Sequence, residues 1–420
     1  MFRPDTKQFR AANFSLVKAV LLAGFVLAAC ASQAQTFQVL HTFTGPDGAD
    51  PIGGVTIGSS GTLYGTTWNG GNGTCRYEEC GTVYELAPRG TGWKFSSLYS
   101  FNESDGAGYY PEGPITIGPN GALYTTTSGG GSGGYGTVFE LQPPTGGCKT
   151  AICYWTATPL HAFQGGPNDG AYPGGQLVFD PAGNIYGTTG GGGATNNGVV
   201  YELTPYGGGW TVNLLHSFAH NGTDGYSPSG VIRDSSGNLY GATAEGGTGG
   251  FGTVYQLMPY NGTWLENILY DYDLDNGSYP TTLIMDQSGN LYGTATAFGT
   301  NSGLFFELTP SNGSWIYYVL IIPNCEPGAG VIMDAAGNFY GSCYIGGAHD
   351  FGSIFELTKS GESWTITDLH DFTDGDDGLF PTGALALDSS GNLYGISHAG
   401  GAGNYNDGLV WEITDIGGHH

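Results

Sequence analysis

Two charged residues are the strongest candidates for chemistry in this sequence. Arg233 stands where the equivalent segments carry apolar residues, and Glu112, just after Pro111, replaces a small or apolar neighbour. A carboxylate and a guanidinium facing one cavity would form an acid/base and anchor pair. Arg233 also has a purely structural interpretation, an ion pair with Asp234 or Glu245. Arg233 and Glu112 are therefore candidate catalytic residues, without a commitment to catalysis.

A recurring motif of Asp-Gly, one or two residues, often an aromatic, and then Pro supplies candidates for ligand binding. It occurs, with variations, at 47–51, 105–111, 169–173, 224–228, 276–280 and 377–381. Aromatic faces beside carboxylates suit sugars, because rings stack on C–H surfaces and carboxylates accept hydroxyl protons. The candidate ligand-binding residues are Trp68, Tyr110, Tyr172, Tyr279 and Phe380. The alternative is ordinary turn chemistry, in which Asp caps its turn and Gly takes positive φ.

Trp68 begins the longest glycine-rich loop, 68–80, which is interpreted as a recognition loop or a family-specific decoration.

No metal site or cofactor is predicted. Segment 271–277 resembles the start of a calcium loop, but Asn276 replaces the required glycine and Thr282 the closing acid. Four histidines recur at one place in a predicted outer strand and are interpreted as packing or surface residues: His41, His161, His216 and His370.

These candidates lie on a repeat that occurs seven times. Its signature is a Leu-Tyr-Gly-like phrase, and we number repeats 1 to 7 by its tyrosines: Tyr64, Tyr124, Tyr186, Tyr240, Tyr292, Tyr340 and Tyr394. In repeat 4, four β-type runs follow one another at 230–234, 238–243, 252–259 and 264–272. No segment has helical periodicity. Four antiparallel strands in about 50 residues predict a β-propeller blade, and seven repeats predict a seven-bladed propeller.

The two ends of the chain complement each other in this interpretation. Repeat 7 stops after its third run, 408–415, while segment 36–43 has the pattern of an isolated fourth strand. Pairing the two would complete the last blade, close the ring and remove free sheet edges. The predicted organisation is therefore a leader at 1–35, a propeller at 36–415 and a short tail at 416–420.

The composition agrees with an all-β chain and excludes one class of partner. Glycine supplies 78 of 420 residues, with 27 tyrosines, which is typical of many tight turns between strands. The 36 acidic residues outnumber the ten Lys and Arg, giving a net charge of −26. Such a surface repels phosphate backbones, so no nucleic-acid partner is expected.

Residues 1–35 are interpreted as an export signal with two processing alternatives. A basic lead-in precedes the apolar run 19–29, which is too short to span a bilayer. The phrase ending at Cys30 resembles a lipobox, which would make Cys30 the lipidated N-terminus; ordinary cleavage before Gln35 is the alternative. The other six cysteines form pairs near in sequence, which predicts three disulfides in an exported chain: Cys75–Cys80, Cys148–Cys153 and Cys325–Cys343.

The repeated phrases closely resemble the tandem GloVer repeat of exported bacterial proteins, over roughly residues 37–415. The resemblance implies a secreted or surface-held, propeller-like array, and it supplies no activity. We expect an extracytoplasmic, monomeric protein that binds an extracellular partner such as a glycan, touching a membrane only through a lipid anchor. The alternatives are a polysaccharide lyase or glycoside hydrolase at the channel mouth, and a structural surface protein.

Overall fold

The computed structural model describes residues 35–75, 80–144, 155–273, 277–296, 302–321, 325–361, 363–402, 406–414 and 416. After β1 (Thr36–Thr42), repeat 1 forms β2 (Ala49–Ile57), β3 (Leu63–Asn69), β4 (Thr82–Arg89) and β5 (Gly92–Ser100). Repeat 2 forms β6 (Tyr109–Pro111), β7 (Thr116–Ile117), β8 (Leu123–Gly129), β9 (Thr137–Gln142) and β10 (Thr156–Ala162). Repeat 3 forms β11 (Gly170–Phe179), β12 (Ile185–Gly192), β13 (Val199–Tyr206) and β14 (Gly209–Ser217).

The remaining four repeats follow the same plan. Repeat 4 forms β15 (Gly225–Arg233), β16 (Leu239–Gly246), β17 (Thr253–Tyr260) and β18 (Thr263–Asp271). Repeat 5 forms β19 (Ile284–Met285), β20 (Leu291–Thr296), β21 (Gly303–Ser311) and β22 (Ser314–Ile321). Repeat 6 forms β23 (Cys325–Pro327), β24 (Ile332–Met333), β25 (Phe339–Gly346), β26 (Ser353–Ser360) and β27 (Ser363–Asp371). Repeat 7 forms β28 (Leu379–Leu387), β29 (Leu393–Ala399) and β30 (Leu409–Thr414).

The all-β prediction is confirmed, because antiparallel sheets of mostly four strands account for the fold. Repeats 3, 4 and 5 each form a four-stranded sheet, and repeats 2 and 6 each form a sheet whose first strand is split in two. No helix among the described residues has the length and apolar character needed to cross a bilayer. In repeat 4, the middle strands β16 and β17 are buried over most of their length, whereas β18 alternates between exposed and covered residues. The middle strands therefore carry the core, and the fourth strand faces solvent on one side.

The N-terminal strand lies at the edge of the last repeat. β1 pairs antiparallel with β30 from Thr36–Thr414 to Thr42–Leu409, and that sheet continues through β28 to β2 by one parallel bridge. The Phe37 ring stacks on His370 with centroids 3.7 Å apart, and Phe43 is fully buried. These contacts bring residues from the first and last repeats into one sheet.

Neighbouring repeats interlock through a glycine and a proline. The glycine that precedes or begins the third strand lies against the proline of the next repeat, and an added Cβ would meet that ring at 2.4 to 2.8 Å. All seven repeats have this contact: Gly81–Pro111, Gly136–Pro173, Gly198–Pro228, Gly252–Pro280, Gly303–Pro327, Gly352–Pro381 and Gly408–Pro51. The last of them joins repeat 7 to repeat 1.

We expect Gly252→Ala to destabilise the protein by about 3 kcal/mol or more, because both the backbone and the space at this position require glycine. Gly252 has φ +101°, and its Cβ would lie 2.3 Å from the Thr243 carbonyl oxygen and 2.7 Å from Pro280 Cδ. Gly262→Ala is the matched control: φ is +82° and nothing lies within 4 Å, so only the backbone cost of about 1–2 kcal/mol applies. Urea unfolding measures both, and equal losses would contradict the interlock.

The signature tyrosine is structural in repeats 2 to 7, where it is buried and its hydroxyl is hydrogen-bonded. In repeat 3, the Tyr186 hydroxyl donates to Glu202 at 2.9 Å or to Asp180 at 3.2 Å. Asp180 also accepts from the Asn184 backbone N–H at 2.9 Å, which fixes the turn between the first two strands. Many of the acidic residues therefore stabilise turns and are not available to a ligand.

Candidate functional site

Residues from or next to the first strands of the repeats line one cavity of about 420 Å³, which we call the central cavity. Every repeat contributes to its wall, with Ile52, Glu112, Gln176, Ser229, Tyr279, Ala329 and Ala384 as one member of each. Glycines such as Gly113 allow these strands to approach closely, since an added Cβ there would lie 2.7 Å from the Gly175 carbonyl oxygen. Among the described residues of this wall, Glu112 and Tyr279 are the two that can titrate.

Glu112 holds a carboxylate in the central cavity. The side chain is accessible to solvent, yet surrounding protein atoms desolvate the carboxylate and raise its pKa above the ordinary value. The Ser128 hydroxyl, which can donate either to Glu112 or to the Tyr110 carbonyl oxygen, opposes that rise. The Trp68 indole N–H also lowers the pKa of Glu112. Its Nε1 is buried and forms no hydrogen bond of standard geometry. Glu112 therefore stays available as an acceptor for a ligand hydroxyl.

Trp68, Tyr110, Glu112 and Ser128 form one cluster, which we call the mouth cluster. The Trp68 and Tyr110 rings have centroids 4.7 Å apart, and the Ser128 hydroxyl donates to the Tyr110 carbonyl oxygen at 3.2 Å. Three residues that the sequence singled out separately therefore meet at the boundary of repeats 1 and 2. Ring faces next to a carboxylate and a hydroxyl are a suitable surface for a sugar ring.

The residue before the proline has the same unusual backbone in six repeats. Its φ lies between +52° and +59° in Asp50, Tyr110, Tyr172, Ser227, Tyr279 and Phe380. Its N–H donates to the glycine-rich loop of the preceding repeat, as from Tyr172 to the Tyr135 carbonyl oxygen at 2.8 Å. Left-handed backbone at a non-glycine residue costs about 1–3 kcal/mol, so the surrounding contacts fix these side chains. Because Tyr279 lines the cavity, we call the end marked by these residues the mouth.

The aromatic rings at the mouth differ in exposure. Tyr172 and Tyr279 are 53 % and 52 % exposed, which leaves their faces open to a ligand. Phe380 stacks against Tyr344 with centroids 4.9 Å apart and an interplanar angle of 25°. The mouth is therefore lined by aromatic residues at several points, but only Glu112 adds a carboxylate to the cavity wall that the structure describes.

The carboxylates of the Asp-Gly motif accept hydrogen bonds from backbone N–H groups of their own turns. Asp169 accepts from the Gln164 and Gly170 backbone N–H groups and pairs with His161 at 3.0 Å. Burial opposes ionisation, but these hydrogen bonds hold the pKa of Asp169 below its ordinary value. The recurring histidines thus pair with the motif, as in His41–Asp47 at 3.0 Å and His370–Asp377 at 3.2 Å. Turn chemistry accounts for these groups better than sugar recognition does.

The structure does not bring Arg233 and Glu112 together. Arg233 ends β15 and lines a different cavity of about 550 Å³, between repeats 4 and 5, with Asp286 and Trp315. Its Nη1 donates to the Asp234 carbonyl oxygen at 3.4 Å. Glu112 occupies the position of Ser229, and the four residues from 229 to 233 span about 13 Å of strand. The two candidates therefore line separate cavities and do not form the acid/base and anchor pair that facing one cavity would require.

Two of the three predicted disulfides lie in described residues, and both are formed. Cys75–Cys80 closes the loop after Trp68, and Cys325–Cys343 joins β23 to β25. Cys148, Cys153 and Cys30 lie outside the described residues.

Sequence reasoning missed Ser128 and Tyr344, which occupy the position of Trp68 in repeats 2 and 6. Alignment of the repeats on their tyrosines was the signal that would have found them.

Comparison with known proteins identifies a repeat family and a fold. The Gloeobacter/Verrucomicrobia repeat matches residues 26–220 and 152–321. No curated protein sequence matches the chain. A PL25 ulvan lyase solved with bound -[GlcA(1-4)Rha3S]- superposes with a TM-score of 0.55 at 11 % identity, over 87 % of this chain and 94 % of that one. A putative 6-phosphogluconolactonase from Bacteroides uniformis gives 0.50 at 14 % identity, over 79 % and 86 %. At these identities the likeness is one of fold, which is β-propeller-like.

Proposed function

The chain belongs to the Gloeobacter/Verrucomicrobia repeat family, and from that premise we propose that it is an exported seven-bladed β-propeller that binds a glycan at its mouth without catalysis. The observation that carries the proposal is the mouth cluster beside the central cavity. It combines a Trp–Tyr ring pair with the carboxylate of Glu112. The exposed rings of Tyr172 in repeat 3 and Tyr279 in repeat 5 add aromatic faces at other points of the mouth.

The closed ring is supported by contacts between the first and last repeats. β1 pairs with β30, Gly408 lies against Pro51, and the Asp50 N–H donates to the Asp407 carbonyl oxygen at 3.0 Å. The last two contacts repeat those between consecutive repeats elsewhere. Seven blades in a closed ring account for all three.

Charge favours a neutral glycan over a polyanion. The chain has a net charge of −26, and Glu112 brings one carboxylate into the cavity. An anionic polysaccharide would meet like charge at both the surface and the mouth. A hydroxyl-rich neutral chain can stack on the rings and donate to Glu112.

The cavity wall supports binding better than glycoside hydrolysis. Most glycoside hydrolases place two carboxyl groups about 5–9.5 Å apart across the scissile bond. In the described wall of the central cavity, Glu112 is the one carboxylic acid. One observation favours the alternative of a carbohydrate-active enzyme: the raised pKa of Glu112, because proton transfer is most efficient when the pKa approaches the working pH.

Export is part of the proposal, with the anchor at Cys30 or cleavage before Gln35. The disulfides Cys75–Cys80 and Cys325–Cys343 support an oxidising compartment. Metabolic labelling with palmitate in a bacterial host tests the anchor. Label on the wild type and none on Cys30→Ala supports lipidation, and an unlabelled, cleaved wild type supports free secretion.

The test of function is a polysaccharide panel applied to residues 36–420, measured for binding by calorimetry and for product by reducing ends and unsaturated uronate absorbance. Binding without product, weakened about tenfold by Glu112→Gln, is the expected result. If the wild type forms product and Glu112→Gln does not, the protein is the carbohydrate-active enzyme of the alternative and this proposal is contradicted. A wild-type protein that binds no neutral, acidic or sulfated glycan would support the structural alternative.

We expect glycan affinity to fall as the pH is lowered, and to begin falling above the pH at which an ordinary glutamate protonates. The pKa of Glu112 is raised in the folded protein, so in an acid titration the carboxylate takes up a proton early and loses its charge and part of its acceptor capacity. Affinity measured from pH 7 to 4 checks this, with Glu112→Gln as the control that should lack the same fall. Equal pH dependence in both proteins would place Glu112 outside the binding site.

A further inference from the structure

Three metal-ligating side chains converge on the outer side of repeats 3 and 4. His216 lies on β14, Asp224 in the following loop and Glu266 on β18. One ligand atom from each lies within 4.8 Å of the others. We propose that His216, Asp224 and Glu266 bind one divalent transition-metal ion, with Zn²⁺ as the best match, that links the outer strands of two neighbouring repeats.

Glu266 departs from the pattern of the other repeats. Its position holds Phe95 in repeat 1 and Tyr317 in repeat 5, whose rings stack on His41 at 4.0 Å and on Tyr270 at 3.8 Å. Phe37 stacks in the same way on His370. In repeat 4 a carboxylate replaces that ring against His216. A carboxylate at an otherwise apolar packing position is costly unless a partner compensates for its lost hydration.

The distances at this cluster suit a metal better than hydrogen bonds. His216 Nε2 lies 3.4 Å from Asp224 Oδ2 and 3.6 Å from Glu266 Oε1, whereas the equivalent His161–Asp169 pair lies at 3.0 Å. Hydrogen bonds from nitrogen to oxygen are about 2.7–3.2 Å long. Tetrahedral Zn²⁺ with ligands at about 2.1 Å puts neighbouring ligand atoms about 3.4 Å apart. The two distances from His216 Nε2 therefore match the spacing of ligands around an ion, and the Asp224 and Glu266 ligand atoms lie within 4.8 Å of each other.

Buried polar atoms without partners support the same site. His216 Nε2, Glu266 Oε1 and Asp224 Oδ1 are buried and have no hydrogen-bond partner. The Asp224 side chain is only 7 % exposed, so water does not compensate for its unpaired oxygen. Its Oδ2 accepts from the Ala219 N–H at 2.7 Å, which orients the carboxylate. A tetrahedral ion would give these three residues the partner that their buried polar atoms lack, and it would leave one coordination position for water.

The experiment is calorimetric titration of Zn²⁺ into untagged residues 36–420, with Co²⁺ absorption as a second readout of tetrahedral geometry. We expect one high-affinity ion per chain. Glu266→Phe, which copies Phe95, should keep the fold and weaken that site at least 100-fold, and the isosteric Glu266→Gln should do the same. His161→Asn, at the equivalent place in repeat 2, is the control and should leave the affinity unchanged.

Two results would overturn this inference. One is a wild-type protein that binds Zn²⁺ no more tightly than Glu266→Phe, which would leave a proton shared between Glu266 and Asp224 as the explanation of the cluster. The other is equal loss of affinity in His161→Asn. A melting temperature that rises with Zn²⁺ in the wild type and not in Glu266→Phe would support the site independently of any glycan.

Discussion

Deletion of residues 35–43 is expected to lower the free energy of unfolding by about 5 kcal/mol or more. β1 supplies a complete edge to the sheet of β28 to β30, and its removal would leave β30 unpaired along one side. Loss of the fully buried Phe43 alone removes a contribution of about 3–5 kcal/mol. Phe37 adds contacts with His370 and Trp411. An exposed edge also favours aggregation.

Guanidinium unfolding monitored by circular dichroism measures the loss, with a chain that starts at residue 35 as the reference. A synthetic peptide of residues 35–43, added to the truncated chain, should restore stability because it refills the vacant edge, and the gain should rise with the logarithm of the peptide concentration. Phe43→Ala separates the buried ring from the strand pairing. Truncated and reference chains with the same unfolding midpoint would contradict ring closure by β1.

Removal of two exposed mouth rings should have the largest effect on ligand binding. We expect Tyr172→Ala with Tyr279→Ala to weaken glycan affinity by about 30-fold, because truncation of an aromatic anchor costs about 1–2 kcal/mol. Both side chains are about half exposed, so the fold should tolerate the change. Calorimetry with the best glycan of the panel measures the loss.

The control uses aromatic residues of the same type away from the mouth. Tyr206 and Tyr260 are 76 % and 57 % exposed and lie at the ends of β13 and β17. Their double alanine variant removes as many exposed rings and should bind like the wild type. Equal losses in the two double variants would mean that binding depends on surface aromatic residues in general and not on the mouth.

Repetition made the fold predictable from the sequence. The signature tyrosines marked the second strand of each repeat, and the Asp-Gly turn chemistry correctly described residues such as Asp169. The mouth was predicted in part, since Trp68, Tyr110 and Glu112 were all candidates and all meet. Their contact could not be read from sequence, because Trp68 and Tyr110 come from different repeats.

The sequence did not reveal which residues share a cavity or a contact, because that depends on where along its strand each residue stands. Arg233 and Glu112 both departed from the repeat, but Arg233 stands at the other end of its strand and faces another cavity. The histidines were interpreted as packing or surface residues, and His41 and His370 do pack against rings. His216 differs from His41 and His370 because Glu266, from the next repeat, stands where a ring packs against those two histidines. An acid two residues after Trp264, where other repeats carry apolar residues, was the signal available in the sequence.

The measurement that tests the central claim most directly is a crystal structure of residues 36–420 with a bound oligosaccharide from the panel. A sugar ring stacked on Trp68, Tyr110, Tyr172 or Tyr279, with a hydroxyl within hydrogen-bond distance of Glu112, is the predicted result. A sugar bound instead in the cavity of Arg233 or on the outer strands, with the mouth empty, would contradict the assignment of the mouth as the binding site.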